Sequence, residues 1–124
     1  MQSRDTRFET LSYFYRCFYN ERRFEEGATK LAADFVNHHP GASRRGPRGM
    51  IEDFAELGPP PGFRIEPVRM VADGDFVWVL ARSAAGVAVD IWRFDASGAI
   101  AEHWDVFRRL DASEDPIALT AGLA

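Results

Sequence analysis

Cysteine is nearly absent from this chain. Cys17 is the only one in 124 residues, which excludes an internal disulfide. With no signal-peptide pattern at the start, this sets the expectation of a reducing, cytoplasmic setting. No apolar run approaches the roughly 20 residues that span a bilayer, so a soluble protein is expected. An excess of positive charge is also missing: the formal net charge is -4. Such a field repels nucleic acid and anionic membrane, and neither is expected as a partner. None of the sequence-local ligand spacings of a metal centre occurs, so no metal is expected. There is no internal repeat.

What is present is material for one core. The hydrophobic fraction is 46% and the aromatic fraction 13%, with ten Phe and three Trp, enough for a folded domain and too much for a disordered chain. Cys17 lies within the aromatic run Tyr13 to Tyr19, where it reads as a small buried hydrophobe.

Thr6-Arg7-Phe8-Glu9 has the spacing of a capping box, and Phe8, Leu11, Tyr15 and Phe18 recur at helical intervals beside Phe14. The pattern predicts a first helix to about Asn20. A short second helix is expected within Glu21 to Thr29, then an extended piece at Ala33 to Asn37. A loop over Gly41 to Gly49 leads to a third helix carrying Met50, Ile51, Phe54 and Leu57, stopped by Gly58-Pro59-Pro60-Pro61-Gly62. β-branched and aromatic residues then alternate between turn signals at Asp73-Gly74, Ala85-Gly86 and Asp95-Ala96-Ser97-Gly98. Four strands follow, near Phe63 to Val71, Phe76 to Ser83, Val87 to Phe94 and Ala99 to Arg109, as an antiparallel meander. Helices followed by strands make an α+β fold: N-terminal helices packed on a strongly curved antiparallel sheet, forming a cone. Residues 1–110 form this single domain, and 111–124 a flexible or partner-contacting tail.

Strand alternation sorts the chemistry-bearing residues. His103, Asp105 and Phe107 share one side of the last strand, and Glu102, Trp104 and Val106 the other. Asp90 falls with Trp92 and Phe94. Beside two large aromatics a carboxylate is either a paired structural group or one whose desolvation raises its pKa toward general-base values. The opposite register turns Asp90 to solvent, and alternation alone allows both. His103 and Asp105 make either an imidazole–carboxylate pair or a solvated polar face. His38-His39-Pro40 ends the extended piece, where one imidazole points into a cone and the other away. Arg82, on the face of Trp78 and Leu80, either offers its guanidinium to Asp90 or Asp105 or forms a structural ion pair. Arg44, Arg45 and Arg48 read as surface. Trp92, Phe54 and Arg82 are the candidates for substrate contact.

The segments Phe35-Val36-Asn37-His38-His39-Pro40, Asp73-Gly74-Asp75, Val89-Asp90-Ile91-Trp92-Arg93-Phe94 and Gly98-Ala99-Ile100-Ala101-Glu102-His103-Trp104-Asp105 resemble a SnoaL-like protein of the nuclear-transport-factor-two-like superfamily. That superfamily includes ketosteroid isomerase and scytalone dehydratase. The resemblance runs from the first helix to about Arg108. It implies a cone-shaped α+β barrel with a deep pocket, a homodimer paired through the outer sheet face, and acid/base chemistry without a cofactor. It carries catalytic roles to Asp90, His103, Asp105 and His38. His39 stands where Asn is usual, and Ala99 where Lys commonly follows the turn.

The leading expectation is a polyketide-cyclase-like lyase or isomerase acting on a small apolar carbonyl compound. Asp90 or Asp105 takes the proton beside the carbonyl, and His38 or His103 stabilises the enolate. One alternative is a hydrolase or hydratase in which two carboxylates and Arg82 activate water. The other is a non-catalytic ligand-binding or dimerisation module, since a fold alone does not settle activity.

Overall fold

A computed structural model describes residues 3–124. Helix α1 spans Arg4–Phe14, and Ser3 caps it, its hydroxyl accepting from the Thr6 amide at 3.2 Å. The helix thus starts one turn before the expected capping box. It runs without a break into a π-helical segment, Tyr15–Asn20. The wider winding keeps Phe14, Tyr15 and Phe18 on the buried side together with Leu11, while Tyr19 packs edge-on to Phe14. Helix α2, Phe24–Ala28, precedes strand β1, Leu31–Asn37. Helix α3, Gly46–Leu57, begins inside the expected loop, with a proline in its first turn where a missing N–H costs nothing. Strands β2 (Glu66–Asp73), β3 (Phe76–Arg82), β4 (Gly86–Phe94) and β5 (Ile100–Arg109) follow as the anticipated meander.

The sheet order is β1-β5-β4-β3-β2. The extended piece before the Arg-rich loop therefore joins the sheet, as an edge strand parallel to β5, and the sheet is not purely antiparallel. With β1 and β2 at its two edges the sheet curves without closing, so the cone is open. Register shifts in β1, β2 and β4–β5 supply the bending.

The inner face is built from cross-strand rows. Ala72, Val77, Trp92 and His103 form one row and Met70, Val79, Asp90 and Asp105 the next. Ala81, Ala88 and Phe107 make a third. Leu11, Phe14, Tyr15 and Phe18 pack onto Val77, Val79, Trp92 and Ile100, and all eight are essentially excluded from solvent. Where the third row offers alanines on β3 and β4, the helices do not fill the space, and a cavity remains. Asn20 holds the approach to β2 with paired bonds to Ile65, 2.9 Å to its carbonyl and 2.7 Å from its amide.

Beyond β5 the chain makes helix α4, Pro116–Thr120, capped by Asp115, and a short 3-10 turn. Thr120 is buried and accepts from Arg82 at 2.9 Å, so α4 lies against the sheet. None of the described helices is long and apolar enough to cross a membrane.

Candidate functional site

The cavity has a volume of about 420 Å³, within the range of small-molecule sites. Met50, Phe54, Leu57, Phe63, Ile65, Ala81 and Ala88 give it apolar walls, and Asn37, His39, Asp90, His103 and Asp105 a polar one.

That polar wall follows from register. Asp90 and Asp105 are cross-strand partners on β4 and β5, a placement in which two like charges repel. Each carboxylate is instead held by an imidazole. His103 Nε2 is 3.0 Å from Asp90 Oδ1, and His39 Nδ1 is 2.5 Å from Asp105 Oδ2.

Donor and acceptor roles in the inner pair can be followed atom by atom. Asn37 lies beside His103 in the β1–β5 pairing. Its Oδ1 accepts the His39 backbone N–H at 3.0 Å, and therefore also a proton from His103 Nδ1 at 2.8 Å. At the other end, indole Nε1 of Trp92 can only donate, and does so to the Tyr15 hydroxyl at 3.1 Å. Tyr15 then donates to Asp90 Oδ2 at 2.5 Å. With Nδ1 of His103 protonated and Oδ2 of Asp90 accepting, a single proton lies between Oδ1 and Nε2. The pair is net neutral whichever atom carries it. Burial, then the Asp90 charge, raises the Tyr15 hydroxyl well above 10.0, so it remains a donor.

The outer pair faces solvent more. The His39 side chain is 43% exposed and that of Asp105 11%. The hydrogen bond to Asp105 raises the imidazole above 6.5 despite partial burial. For Asp105, burial alone would raise the carboxyl. The His39 hydrogen bond and the charges of His103 and His39 outweigh it and hold the group below 3.8. Because Nδ1 donates to Asp105, Nε2 of His39 is left to accept or release a proton at the pocket. Tyr19 also lines the pocket, and burial with the Asp90 and Asp105 charges keeps its hydroxyl protonated.

Of the residues singled out in the sequence, the fold brings Asp90, His103, Asp105 and Phe54 to this pocket, and Arg82 to its edge. It does not bring His38. Because Asn37 faces inward beside His103, alternation turns His38 out, where it stacks on Trp104 with ring centroids 5.0 Å apart and bonds Glu102 at 2.6 Å. His39, two positions from Asn37, turns back in. Arg82 shares the outward face of Trp78 and Leu80, and its guanidinium is held by Glu66 and Thr120, not by Asp90 or Asp105. Trp92 is fully buried behind the wall, stacked on His103 with centroids 4.0 Å apart, and supports the site without lining it. Tyr15, Tyr19, Asn37 and His39 were not singled out. The period of the first helix marked Tyr15 as core, and only the parallel pairing of β1 reveals Asn37 and His39. Arg44 of the basic loop pairs with buried Asp53 at 2.7 Å, pinning that loop to α3 at the pocket edge.

Asp90, His103 and Asp105 each offer a ligand atom within 4.8 Å of the others. A cation there would have to displace the His103–Asp90 bond, whereas a proton satisfies the arrangement as it stands.

Several solved structures share this fold. TsrD from Streptomyces laurentii superposes with a TM-score of 0.70 at 18% identity, covering 99% of this chain and 98% of that one. The epoxide hydrolase/cyclase-like enzyme SalBIII, of pyran ring formation in the polyether salinomycin, gives 0.70 at 20% identity over 87% and 95% of the chains. An LEH-like epoxide hydrolase of M. tuberculosis gives 0.65 at 19% identity over 84% of each. Among curated protein sequences there is no significant match. Residues 11–103, most of the chain and all of it that builds the inner pair, match the sequence profile of the SnoaL-like domain. The chain belongs to the SnoaL-like domain family.

Proposed function

We propose that this protein catalyses proton transfer at carbon in a small enolisable carbonyl compound, as a cyclase or isomerase of the polyketide-cyclase type, without a cofactor. The observation that carries the reading is the pairing of His39 with Asp105 at the wall of an apolar pocket, backed by a buried and charge-neutral Asp90–His103 pair. Asp105 orients the imidazole and His39 Nε2 takes the proton next to the carbonyl. Tyr19 donates to the oxygen on which negative charge develops. The protonated His39 then returns its proton to the rearranged carbon skeleton. Asp90 and His103 position the wall: every nitrogen of His103 is engaged within the protein.

The test is solvent deuterium exchange into a panel of aryl 1,3-diketones. Wild type is expected to wash deuterium into the position between the carbonyls, and Asp105→Asn and His39→Phe to lose most of the exchange while remaining folded. Exchange that survives both substitutions overturns the assignment.

A second reading, addition of water to an epoxide or alkene, draws on the cross-strand placement of two carboxylates and on the names of two structural neighbours. Arg82 cannot contribute to it, so His103 would have to take the place of the arginine. Incorporation of heavy oxygen from labelled water into product separates the two readings, since enolisation adds none.

The outer sheet face supports pairing of two copies. Val71, Trp78 and Val106 stand exposed there by 56%, 45% and 70%, and exposed apolar patches mark interaction surfaces. A reducing cytoplasmic setting remains consistent with the single buried cysteine.

A further inference from the structure

Among the charged groups that line the cavity, Asp53, Arg82 and Arg109 have no part in the polar wall. Arg109 ends β5 and lines the pocket. It makes no ion pair with a described residue, whereas Arg108 beside it is bound by Glu114 at 2.7 Å. Arg82, also at the cavity, is already bound by Glu66 and Thr120. Asp105, Phe107 and Arg109 alternate onto one side of β5, so Arg109 stands on the strand four residues beyond the carboxylate, about 13 Å away between α-carbons. Phe107 lies between them as an apolar spacer. Opposite Arg109 on β4 is Gly86. A side chain there would collide with the Arg108 carbonyl and meet the Phe107 ring at 2.8 Å. The absence of that side chain lets the Phe107 ring lie along the wall.

The cavity is thus polar at both ends, and the ends differ in charge balance. At one end the carboxylates of Asp90 and Asp105 are matched by imidazoles, and at the other stands the exposed guanidinium of Arg109 with no carboxylate partner among the described residues, with Phe54, Leu57, Phe63 and Phe107 lining the space between. A neutral apolar ligand has no use for such a gradient. A ligand with one anionic end finds no unmatched cation at the imidazole–carboxylate wall and is attracted by Arg109, which aligns it in one direction. We propose that the substrate is an amphiphilic acid: an enolisable carbonyl compound whose reacting carbon is separated by an apolar, ring-sized body from an anionic group held by Arg109. This deepens the proton-transfer reading and rests on it for what happens at the other end of the molecule.

Three probes of one skeleton test the assignment: an aryl 1,3-diketone bearing a para-carboxylate, its methyl ester, and the corresponding aryl phosphate. Binding is measured by calorimetry and chemistry separately by deuterium exchange. The carboxylate is expected to bind wild type more tightly than the ester. Arg109→Gln should weaken its binding and raise its KM about tenfold with kcat unchanged, leave the ester as it was, and be largely restored in Arg109→Lys. If the phosphate gains more than the carboxylate, the anionic group is a phosphate. An acid that binds no better than its ester, or an Arg109→Gln effect equal on both, overturns the proposal. Arg109-dependent binding with no exchange from any probe would leave the anion site standing and remove the proton-transfer reading. Exchange that ignores Arg109 would do the reverse.

Discussion

At the level of single residues, the two imidazole–carboxylate pairs differ in what a change of pH does to them. The Asp105 carboxyl is held below 3.8, so its share of the stability is present above that value and is lost as pH falls through the lowered one. The His39 imidazole is raised above 6.5, so its share is present below that value and is lost as pH rises through the raised one. The ion pair is therefore complete between those limits. Proton abstraction needs neutral His39, so kcat/KM should climb as pH rises through the raised imidazole value. In Asp105→Asn the residual rate should climb at lower pH than in wild type, because the hydrogen bond that raises the imidazole is gone; an NMR titration of His39 reads the same shift directly. Asn37 has its own signature. Asn37→Leu leaves the His103 Nδ1 proton and the His39 amide without their acceptor, a loss of about 1–3 kcal/mol in a urea titration. Nitrogen-15 spectra of His103 should change from one fixed tautomer to a mixture. Of these residues, Asp90, His103 and Asp105 were singled out by strand alternation and the family resemblance, although alternation allowed either face to be the inner one. His39 was not, because adjacent histidines at a strand end give no sign of which points inward until the neighbouring strand is known.

Among the elements, the helices and the meander were readable because each has its own period and its own stop signals. The β2–β3 and β4–β5 turns carry glycines at positive φ, Gly74 at 58° and Gly98 at 90°, where the Asp-Gly and Ser-Gly signals stood. Two elements were harder. β1 was legible as an extended piece but not as a sheet member, since a parallel partner more than sixty residues away leaves no local trace. The C-terminal segment had too weak a period to read as a helix. Its position comes from Arg82, which holds Thr120, and Glu114, which holds Arg108. Removal of residues 116–124 is expected to cost about 1–2 kcal/mol in denaturant unfolding, the loss of one part-buried polar contact and a small apolar cover, with deuterium exchange unchanged. A chain that unfolds outright on this truncation would make α4 part of the core.

For the whole molecule, one sheet serves two purposes by its two faces. The inner face holds the acid/base wall and the cavity, and the outer face carries Val71, Trp78, Leu80, Val89, Ile91 and Val106 in adjacent rows. Sedimentation should show a dimer that Trp78→Lys together with Val106→Glu converts to monomer. Its exchange activity should persist, because neither side chain reaches the pocket. Composition and periodicity determined that this chain folds as helices on a curved sheet, since patterns of local spacing suffice to choose helix or strand and to say which residues share a face. Which of the two faces looks inward, which of two adjacent histidines enters the pocket, and whether Arg82 meets Asp90 or Glu66 were decided only by tertiary structure. Each depends on what packs across from it, and the register of β1 on β5 and the helices covering one face bring together residues that the chain itself keeps far apart.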